Sequence, residues 1–319
     1  MSQHATVIVT DLGFLVPSLV VAEQIFAQAN DITDIIVYLV DVSSELASSL
    51  IDSFPNLRFH TLSGSEYGFK DNVHFREGHV PPATIARLVL GSHLPDRYTD
   101  ITYIDGDTQI TGDIRPFLLH RPANGAIGVG RGSPWLKAGR NPSWDHQYLS
   151  GLNNVSADRY FNAGVLQFSR QTWLEIGPSA LQFFFDHSHS CVHHDQSALN
   201  AVCKDRTEFF SPLNNFHTSF AQLIFKGDIS PRIVHFTGRT KPWVYTSSPW
   251  GRRFAKPYVD ILEKHAFLRP FLQVSPINST VKQAIRESKM WVKSARSIQD
   301  RISNGLLLKR HMLEHQYRV

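Results

Sequence analysis

Cysteine is scarce. Cys191 and Cys203 are the only two in 319 residues, too few to frame a disulfide-rich secreted fold and suited to a reducing compartment. No apolar run approaches the ~20 residues of a membrane-spanning helix; the stretch Leu12 to Ala22 is short and broken by Pro17. Residues 1–6 lack the basic start of a signal peptide, so a cytoplasmic location is expected. Internal repeats and low-complexity tracts are also missing. With 42% hydrophobic and 19% charged residues, wholesale disorder is excluded. The length is roughly twice the ~150 residues of a typical domain, which fits one large α/β domain with a tail, or two domains.

Excess charge of one sign is small overall, at +4, but unevenly placed. Residues 281–319 hold nine bases and three acids, so residues 1–280 carry a net −2. A basic tail on a slightly acidic body is not the basic groove of a nucleic-acid binder. It points to an anionic partner for the tail alone.

What is present is an alternation of β-type and helical segments. Thr6 to Thr10 reads as a buried strand and Pro17 to Ala29 as a helix with proline in its first turn. Asp34 to Val40 is a second strand, Ser43 to Ile51 a helix, and Leu57 to Leu62 a third strand. Pro81 to Gly91 reads as a helix, Ile101 to Ile104 as a strand, Ala163 to Phe168 as a strand and Gln171 to Asp186 as a helix. Continuous apolar strands alternating with helices imply a mostly parallel sheet covered on both faces. Ligands of such sheets sit beyond the C-terminal strand ends. Residues 131–158 mix Gly, Pro, Ser, Asn and Trp and read as a long functional or mobile loop.

Several constellations could carry chemistry. Asp105-Gly-Asp107 closes a strand, where two carboxylates can converge on one hard divalent cation while Gly106 allows a tight turn; the plain alternative is a solvated turn. His235 ends the apolar run Arg232-Ile-Val-His235 and could complete a mixed oxygen and nitrogen site that suits Mn²⁺ better than Mg²⁺; otherwise it is a core or rim histidine. Lys241, beside Pro242 and Trp243, could meet a phosphate as a point charge. Asn162 opens a strand among small residues, where a ligand could approach closely. Asp195 opens a helix, as a ligand or simply as an N-cap. Arg87 reads by default as a surface salt-bridge partner. The run His187, His189, Cys191, His193, His194 lacks the paired spacing of zinc folds.

Taken together, these segments resemble the retaining glycosyltransferases of family 8. The resemblance rests on Thr10-Asp11, Ile85-Ala-Arg87-Leu, Ile104-Asp-Gly-Asp107, Phe161-Asn-Ala-Gly-Val-Leu166, His194-Asp-Gln-Ser-Ala-Leu-Asn200 and His235-Phe-Thr-Gly-Arg-Thr-Lys-Pro-Trp243, in order over about residues 6–245. It implies a GT-A fold and a nucleotide-sugar donor, most often UDP-linked, held through Mn²⁺ or Mg²⁺. By that likeness Asp105, Asp107 and His235 ligate the metal. Val9, Thr10, Asp11 and Phe14 border the uracil, and Gly238 and Lys241 meet the diphosphate. Arg87, Asn162, Asp195 and Gln196 lie around the sugar, with Asp195, Gln196 and Asn162 as the catalytic candidates. Two departures stand out: Gly13-Phe14 where many members have Asn-Tyr, and Arg131 where relatives often have aspartate.

The expected protein is a cytoplasmic, metal-dependent, retaining hexosyltransferase that moves a sugar to a glycan or lipid-linked glycan acceptor in bacterial lipopolysaccharide or other surface-glycan synthesis. The rivals are a metal-dependent phosphoesterase or nucleotidyltransferase, and a non-catalytic sugar-nucleotide-binding protein. Residues 1–275 are expected to form the catalytic domain and 276–319 a basic helical tail. Within the tail, 281–304 reads as an amphipathic helix stopped by Gly305, with Val281, Ile285, Trp291, Val292, Ile298 and Ile302 on one face and Lys282, Arg286, Lys289, Lys293, Arg296 and Arg301 on the other. Such a helix suits an anionic membrane surface.

Overall fold

The computed structural model describes residues 3–67, 82–137, 143–239, 241–245, 249–274 and 297–319. In chain order the elements are β1 (His4–Thr10), α1 (Leu15–Ala29), β2 (Asp34–Val40), α2 (Ser44–Ser53) and β3 (Arg58–Leu62). A 3₁₀ segment, Pro82–Val89, runs into the short α3 (Leu90–His93), and β4 (Asp100–Ile104), β5 (Thr108–Ile110), α4 (Arg115–Leu119) and β6 (Ile127–Arg131) follow. Then come α5 (Ser143–Ser150), β7 (Phe161–Ser169), α6 (Arg170–Asp186), α7 (His194–Cys203) and β8 (Thr207–Phe209). The chain continues through β9 (Phe216–His217), α8 (Thr218–Ala221), β10 (Ile233–His235) and α9 (Lys256–Lys264) to α10 (Ile298–Glu314).

Among the described residues, seven strands form one sheet in the order β3-β2-β1-β4-β7-β6-β8. The pairs β1–β2, β1–β4, β2–β3 and β6–β8 are parallel, whereas β7 runs antiparallel to both β4 and β6. Successive strand residues feed two separate cores. Ile8, Val37, Leu39 and Ile104 pack with α1 and α9 on one face. Val7, Ile36, Tyr38 and Tyr103 pack with α6, α7 and the 3₁₀ segment on the other. Burial on both faces is why these strands are continuously apolar. A second sheet, β5-β10-β9, sits at the carboxyl end of β4 and delivers His235 to the same edge as Asp105.

The segment read as a helix over 81–91 is 3₁₀ through Val89, with α-helix only over Leu90–His93. The 131–158 stretch is not structureless. It contains a 3₁₀ turn over Ser133–Lys137 and α5, and Tyr148, Leu149, Leu152 and Val155 form a small core with Tyr160 and Ala201.

Residues 281–296 of the expected amphipathic helix lie outside the described residues. The described part departs from expectation at Gly305, which does not end a helix but sits inside α10. A Cβ there would stand 1.7 Å from the Ile224 carbonyl oxygen, so glycine serves close approach rather than termination. The helix is pinned by Ile224 N donating to Arg301 O at 3.1 Å and Arg301 Nε donating to Gln222 O at 2.7 Å. Leu308 is fully buried with Trp135, Leu136, Phe216, Phe220 and Leu223, which stabilises the docking by about 1.5–3 kcal/mol. No helix among the described residues is long and apolar enough to cross a membrane.

Gly305→Ala tests this seat. An exposed helical site would gain about 1 kcal/mol from alanine; the overlap with Ile224 makes a net loss of about 1–3 kcal/mol the expected outcome. Urea denaturation reads it, and a midpoint at or above wild type would show that α10 does not rest on Ile224.

Candidate active site

Parallel pairing of β1 with β4 brings Thr10-Asp11 and Asp105-Gly-Asp107 to one sheet edge. Asp11 Oδ1 accepts from Gly13 N at 2.9 Å and Phe14 N at 3.2 Å, shaping the turn into α1. Gly106 is not needed for a left-handed backbone, since its φ is not positive. A Cβ there would stand 2.0 Å from Ser18 Oγ on α1, so packing, not turn geometry, requires glycine. Gly164 has the same role on β7, where a Cβ would lie 2.1 Å from His235 Cε1 and 2.7 Å from Asp105 Oδ2.

Arg87 is not a surface residue. It is 4% exposed and holds three parts of the site together. Its Nη2 donates to Asp105 Oδ1 at 2.8 Å, Nη1 donates to Ala163 O at 2.7 Å, and Nε lies 3.0 Å from Asp195 Oδ2. Its guanidinium stands 4.3 Å from the Tyr103 ring centroid, and the Tyr103 hydroxyl donates to Asp105 Oδ1 at 2.7 Å. With Oδ1 doubly occupied, Asp105 turns Oδ2 toward His235 Nε2, 3.7 Å away. Asp107 Oδ1 lies 3.2 Å from the same nitrogen. Its Oδ2 takes the Lys241 ammonium, which also donates to Phe236 O at 2.6 Å. Burial pushes the Asp107 carboxyl up, but the charges of Lys241 and His235 outweigh it and hold the group well below the usual carboxylate range. Asp195 shows the opposite balance: burial outweighs Arg87 and raises it to about 6.

Asp105, Asp107 and His235 each offer one donor atom, all within 4.8 Å of one another. Two carboxylate oxygens and one imidazole nitrogen at that spacing fit a divalent cation of the Mn²⁺ or Mg²⁺ kind. Among the described residues, the His187–His194 run provides no such cluster. Burial pushes the Cys191 thiol up to about 12.

A row of amides faces the carboxylates. Asn162 Oδ1 accepts from Gly164 N at 3.0 Å, and Asn162 Nδ2 donates to Gln196 Oε1 at 2.9 Å. Ala163 N donates to the same Gln196 oxygen at 3.1 Å, and Gln196 Nε2 donates to the Tyr160 hydroxyl at 2.7 Å. Tyr160 joins Tyr148 at 3.0 Å, and Tyr148 joins Ser197 at 2.8 Å. Asn200 bridges Phe161 N and O at 2.9 Å each, locking α7 to β7. Asp195 is buried in the first turn of α7 rather than capping it; the cap position is His193.

One cavity of about 730 Å³ collects Val9, Thr10, Asp11, Phe14, Arg87, Asp105, Asp107, Asn162, Asp195, Gln196, His235, Gly238 and Lys241. Every site residue read from the sequence therefore lines it. Gly238 has φ +77 with open space around it, a backbone shape that favours glycine. Arg131 is absent from the lining. Its guanidinium lies 4.4 Å from the Phe209 ring centroid and 5.5 Å from that of Trp135. Tyr103, Tyr148, Tyr160, His217 and Asn215 also stand at or beside the site, and no local sequence pattern marks them.

The sequence profile of glycosyl transferase family 8 matches residues 6–247. General stress protein A of Bacillus subtilis is 28% identical over 183 residues, covering 52% of this chain and 60% of that protein. Lipopolysaccharide 1,2-glucosyltransferase of Escherichia coli is 25% identical over 201 residues, covering 53% of this chain and 56% of that protein. The match thus spans little more than half the length of either relative. Among solved structures, galactosyltransferase LgtC, crystallised with donor and acceptor sugar analogues, superimposes with a TM-score of 0.63 at 20% identity, over 87% of this chain and 98% of that one. The glycosyltransferase GlyE of Streptococcus pneumoniae gives 0.58 at 17% identity, over 88% and 67%. These likenesses show the fold, a GT-A type α/β architecture. With the family profile spanning most of the chain and its motifs gathered around one cavity, the chain belongs to glycosyl transferase family 8.

Proposed function

We propose that this protein is a metal-dependent, retaining hexosyltransferase that moves a sugar from a UDP-sugar to a glycan or lipid-linked glycan acceptor in bacterial lipopolysaccharide or related surface-glycan synthesis. The observation that carries the reading is the polarity of one cavity. Two carboxylates, an imidazole and a half-buried ammonium stand at its centre, beside a row of amides and hydroxyls. The first group suits a diphosphate and its counter-ion; the second suits a sugar. The relatives named above, a lipopolysaccharide glucosyltransferase and a galactosyltransferase, support the acceptor and donor classes.

In this reading Asp11 accepts from the uracil N–H and Phe14 stacks on the ring, with Val9 and Thr10 beside them. Gly238 and Lys241 meet the diphosphate. A divalent cation held by Asp105, Asp107 and His235, Mn²⁺ in preference to Mg²⁺, would neutralise charge that develops on the leaving diphosphate. Arg87, Asn162, Asp195 and Gln196 surround the sugar.

Retention is supported by what the acids of the cavity are already doing. Asp105 and Asp107 face the cation position, Asp195 is paired with Arg87, and Asp11 accepts from two backbone amides. Among the described residues that line the cavity, no carboxylate is left to act as an inverting base or a nucleophile. Gln196 Oε1 already accepts two hydrogen bonds, which makes it a poor nucleophile. The acceptor hydroxyl is therefore assigned to attack on the face the diphosphate leaves. The C1–O bond to phosphate breaks as the new C1–O bond forms, and the leaving phosphate oxygen takes the hydroxyl proton.

We assign residues 1–275 to the catalytic domain and 276–319 to the tail, with a peripheral position on the cytoplasmic membrane face. The bases Lys282, Arg286, Lys289, Lys293 and Arg296, read from the sequence alone, are the reason for the membrane assignment. The expected single helix over 281–304 does not hold, because the described helix starts at Ile298 and Arg301 is tied to Gln222 O. In addition, α10 leaves Ile298, Leu306 and Leu313 exposed beside Lys309 and Arg310.

Three outcomes are expected. Early-turnover proton NMR of the anomeric signal shows an α product from an α-linked UDP-hexose; an initial β product would sink the mechanism. Asp107→Asn keeps the shape but removes a charge and lowers Mn²⁺-dependent transfer by ~100-fold or more, and near-normal activity would refute the ligand assignment. Full-length protein co-sediments with anionic vesicles at low salt and is released at high salt. Reversing Lys282, Arg286, Lys289 and Lys293 to Glu abolishes that binding, and equal, negligible binding of both forms would leave the tail as a structural element only.

A further inference from the structure

The direction in which His235 points is set from outside the carboxylate cluster. Its Nδ1 lies 2.9 Å from Asn215 Oδ1, and both residues are buried. An asparagine amide can be placed either way round, so the sense of this bond must come from a group whose role is unambiguous. Backbone N–H groups supply it. Gly164 N donates to Asn162 Oδ1 at 3.0 Å, which makes that atom an acceptor and leaves Nδ2 to donate to Gln196 at 2.9 Å. Ala163 N donates to the same Gln196 oxygen at 3.1 Å, so two independent backbone donors agree. Asn215 must then present Nδ2 to Asn162 Oδ1, 2.9 Å away, and turn its own oxygen to His235. A carbonyl oxygen only accepts. Nδ1 of His235 therefore carries a proton, which leaves Nε2, on the side of Asp107 Oδ1 and Asp105 Oδ2, as the nitrogen able to offer a lone pair to a cation.

We propose that Asn215 is a positioning residue that holds His235 in its Nδ1–H form with the Nε2 lone pair directed at a divalent cation. Through Asn162 the same amide row fixes the orientation of Gln196 at the sugar end of the cavity. The inference rests on the reading of Asp105, Asp107 and His235 as cation ligands. Metal-bound histidines regularly donate their second ring N–H to an oxygen that fixes tautomer and ring plane. Here that oxygen is a neutral amide, which orients the ring without adding a negative charge to a site that already holds two carboxylates.

The test is Mn²⁺ binding by the full chain, followed by EPR titration, with pulsed EPR reading the coupling of an imidazole nitrogen to the bound ion. Wild type shows that coupling. Asn215→Leu removes the oxygen at similar volume, binds Mn²⁺ about 10–100-fold more weakly and loses the nitrogen signal. Asn215→Asp keeps an acceptor for Nδ1–H while losing the donor to Asn162, and it retains the nitrogen signal. A merely structural role predicts that the aspartate fares no better than the leucine, because it too breaks the Asn162 contact. If the leucine variant does not fold, Asn215→Ser, too short to reach the ring, takes its place. Wild-type affinity and nitrogen coupling in the leucine or serine variant would overturn the proposal, as would an aspartate variant that loses the nitrogen signal. Mn²⁺ binding by wild type with no nitrogen coupling is a different failure: it removes His235 from the ligand set and the proposal with it.

Discussion

Carboxylates crowded into one half-buried cleft repel each other, and the whole site depends on how that repulsion is offset. Asp105 and Asp107 each give one oxygen to a cation of the protein itself, Arg87 and Lys241 respectively. Each keeps its second oxygen turned toward His235. Removing one partner from such a buried arrangement leaves an uncompensated charge, which is far more costly than the net worth of the pair. Asp195 shows how near the limit the site is. It faces Arg87, yet burial and the nearby Asp105 still raise it to about 6. Arg87 therefore has to serve two acids at once, and further N–H bonds to the Ala163 and Thr84 carbonyls hold it between them.

The backbone meets this electrostatic demand by bringing chain segments unusually close. β4, β7 and β10 converge so tightly that Gly164 has no room for a side chain against His235 and Asp105. Gly106 has none against Ser18. Those contacts set the separation of the three donor atoms of Asp105, Asp107 and His235 more rigidly than side-chain rotamers could. The antiparallel course of β7 between β4 and β6 matters here, because it starts β7 at the edge where β4 ends. Asn162 and Gly164, early in β7, thereby meet Asp105, late in β4.

Much of this was legible in the residues. Strands buried on both faces announce themselves as unbroken apolar runs, and β1, β2, β4 and β7 fall where those runs are. The motif residues all reach one cavity because each stands at a strand end or a helix start, positions that local pattern marks well. What was hidden depends on distant partners. Arg87 looks like a surface cation until Asp105, Asp195 and Ala163 close over it, and its 3₁₀ backbone follows from that packing rather than from propensity. Asn215 carries no local signal, since its role is defined by residues 20 and 53 positions away. Gly305 has a helix-stop composition, but the Ile224 backbone lying against it reverses the meaning. The orientation of β7 was likewise not written in its own sequence, because an apolar run reads the same in either direction.

The seat of α10 has a bearing on the order in which the protein is made. Ser133 and Pro134 line the cavity, and their neighbours Trp135 and Leu136 are buried against Phe220, Leu223 and Leu308. This wall is therefore built from segments some 170 residues apart in the chain. A ribosome delivers chain from the N-terminus at about 5–20 residues per second. Strands β1 to β4 can pair while the remainder is still being synthesised, but the wall cannot close until residue 308 has emerged. For about 10–35 seconds after its own synthesis Trp135, and for about 4–18 seconds Phe220 and Leu223, have no helix to cover them. The nascent protein thus holds strands β1 to β4 before its cavity is shut, and the apolar patch awaiting α10 is where a chaperone would find it.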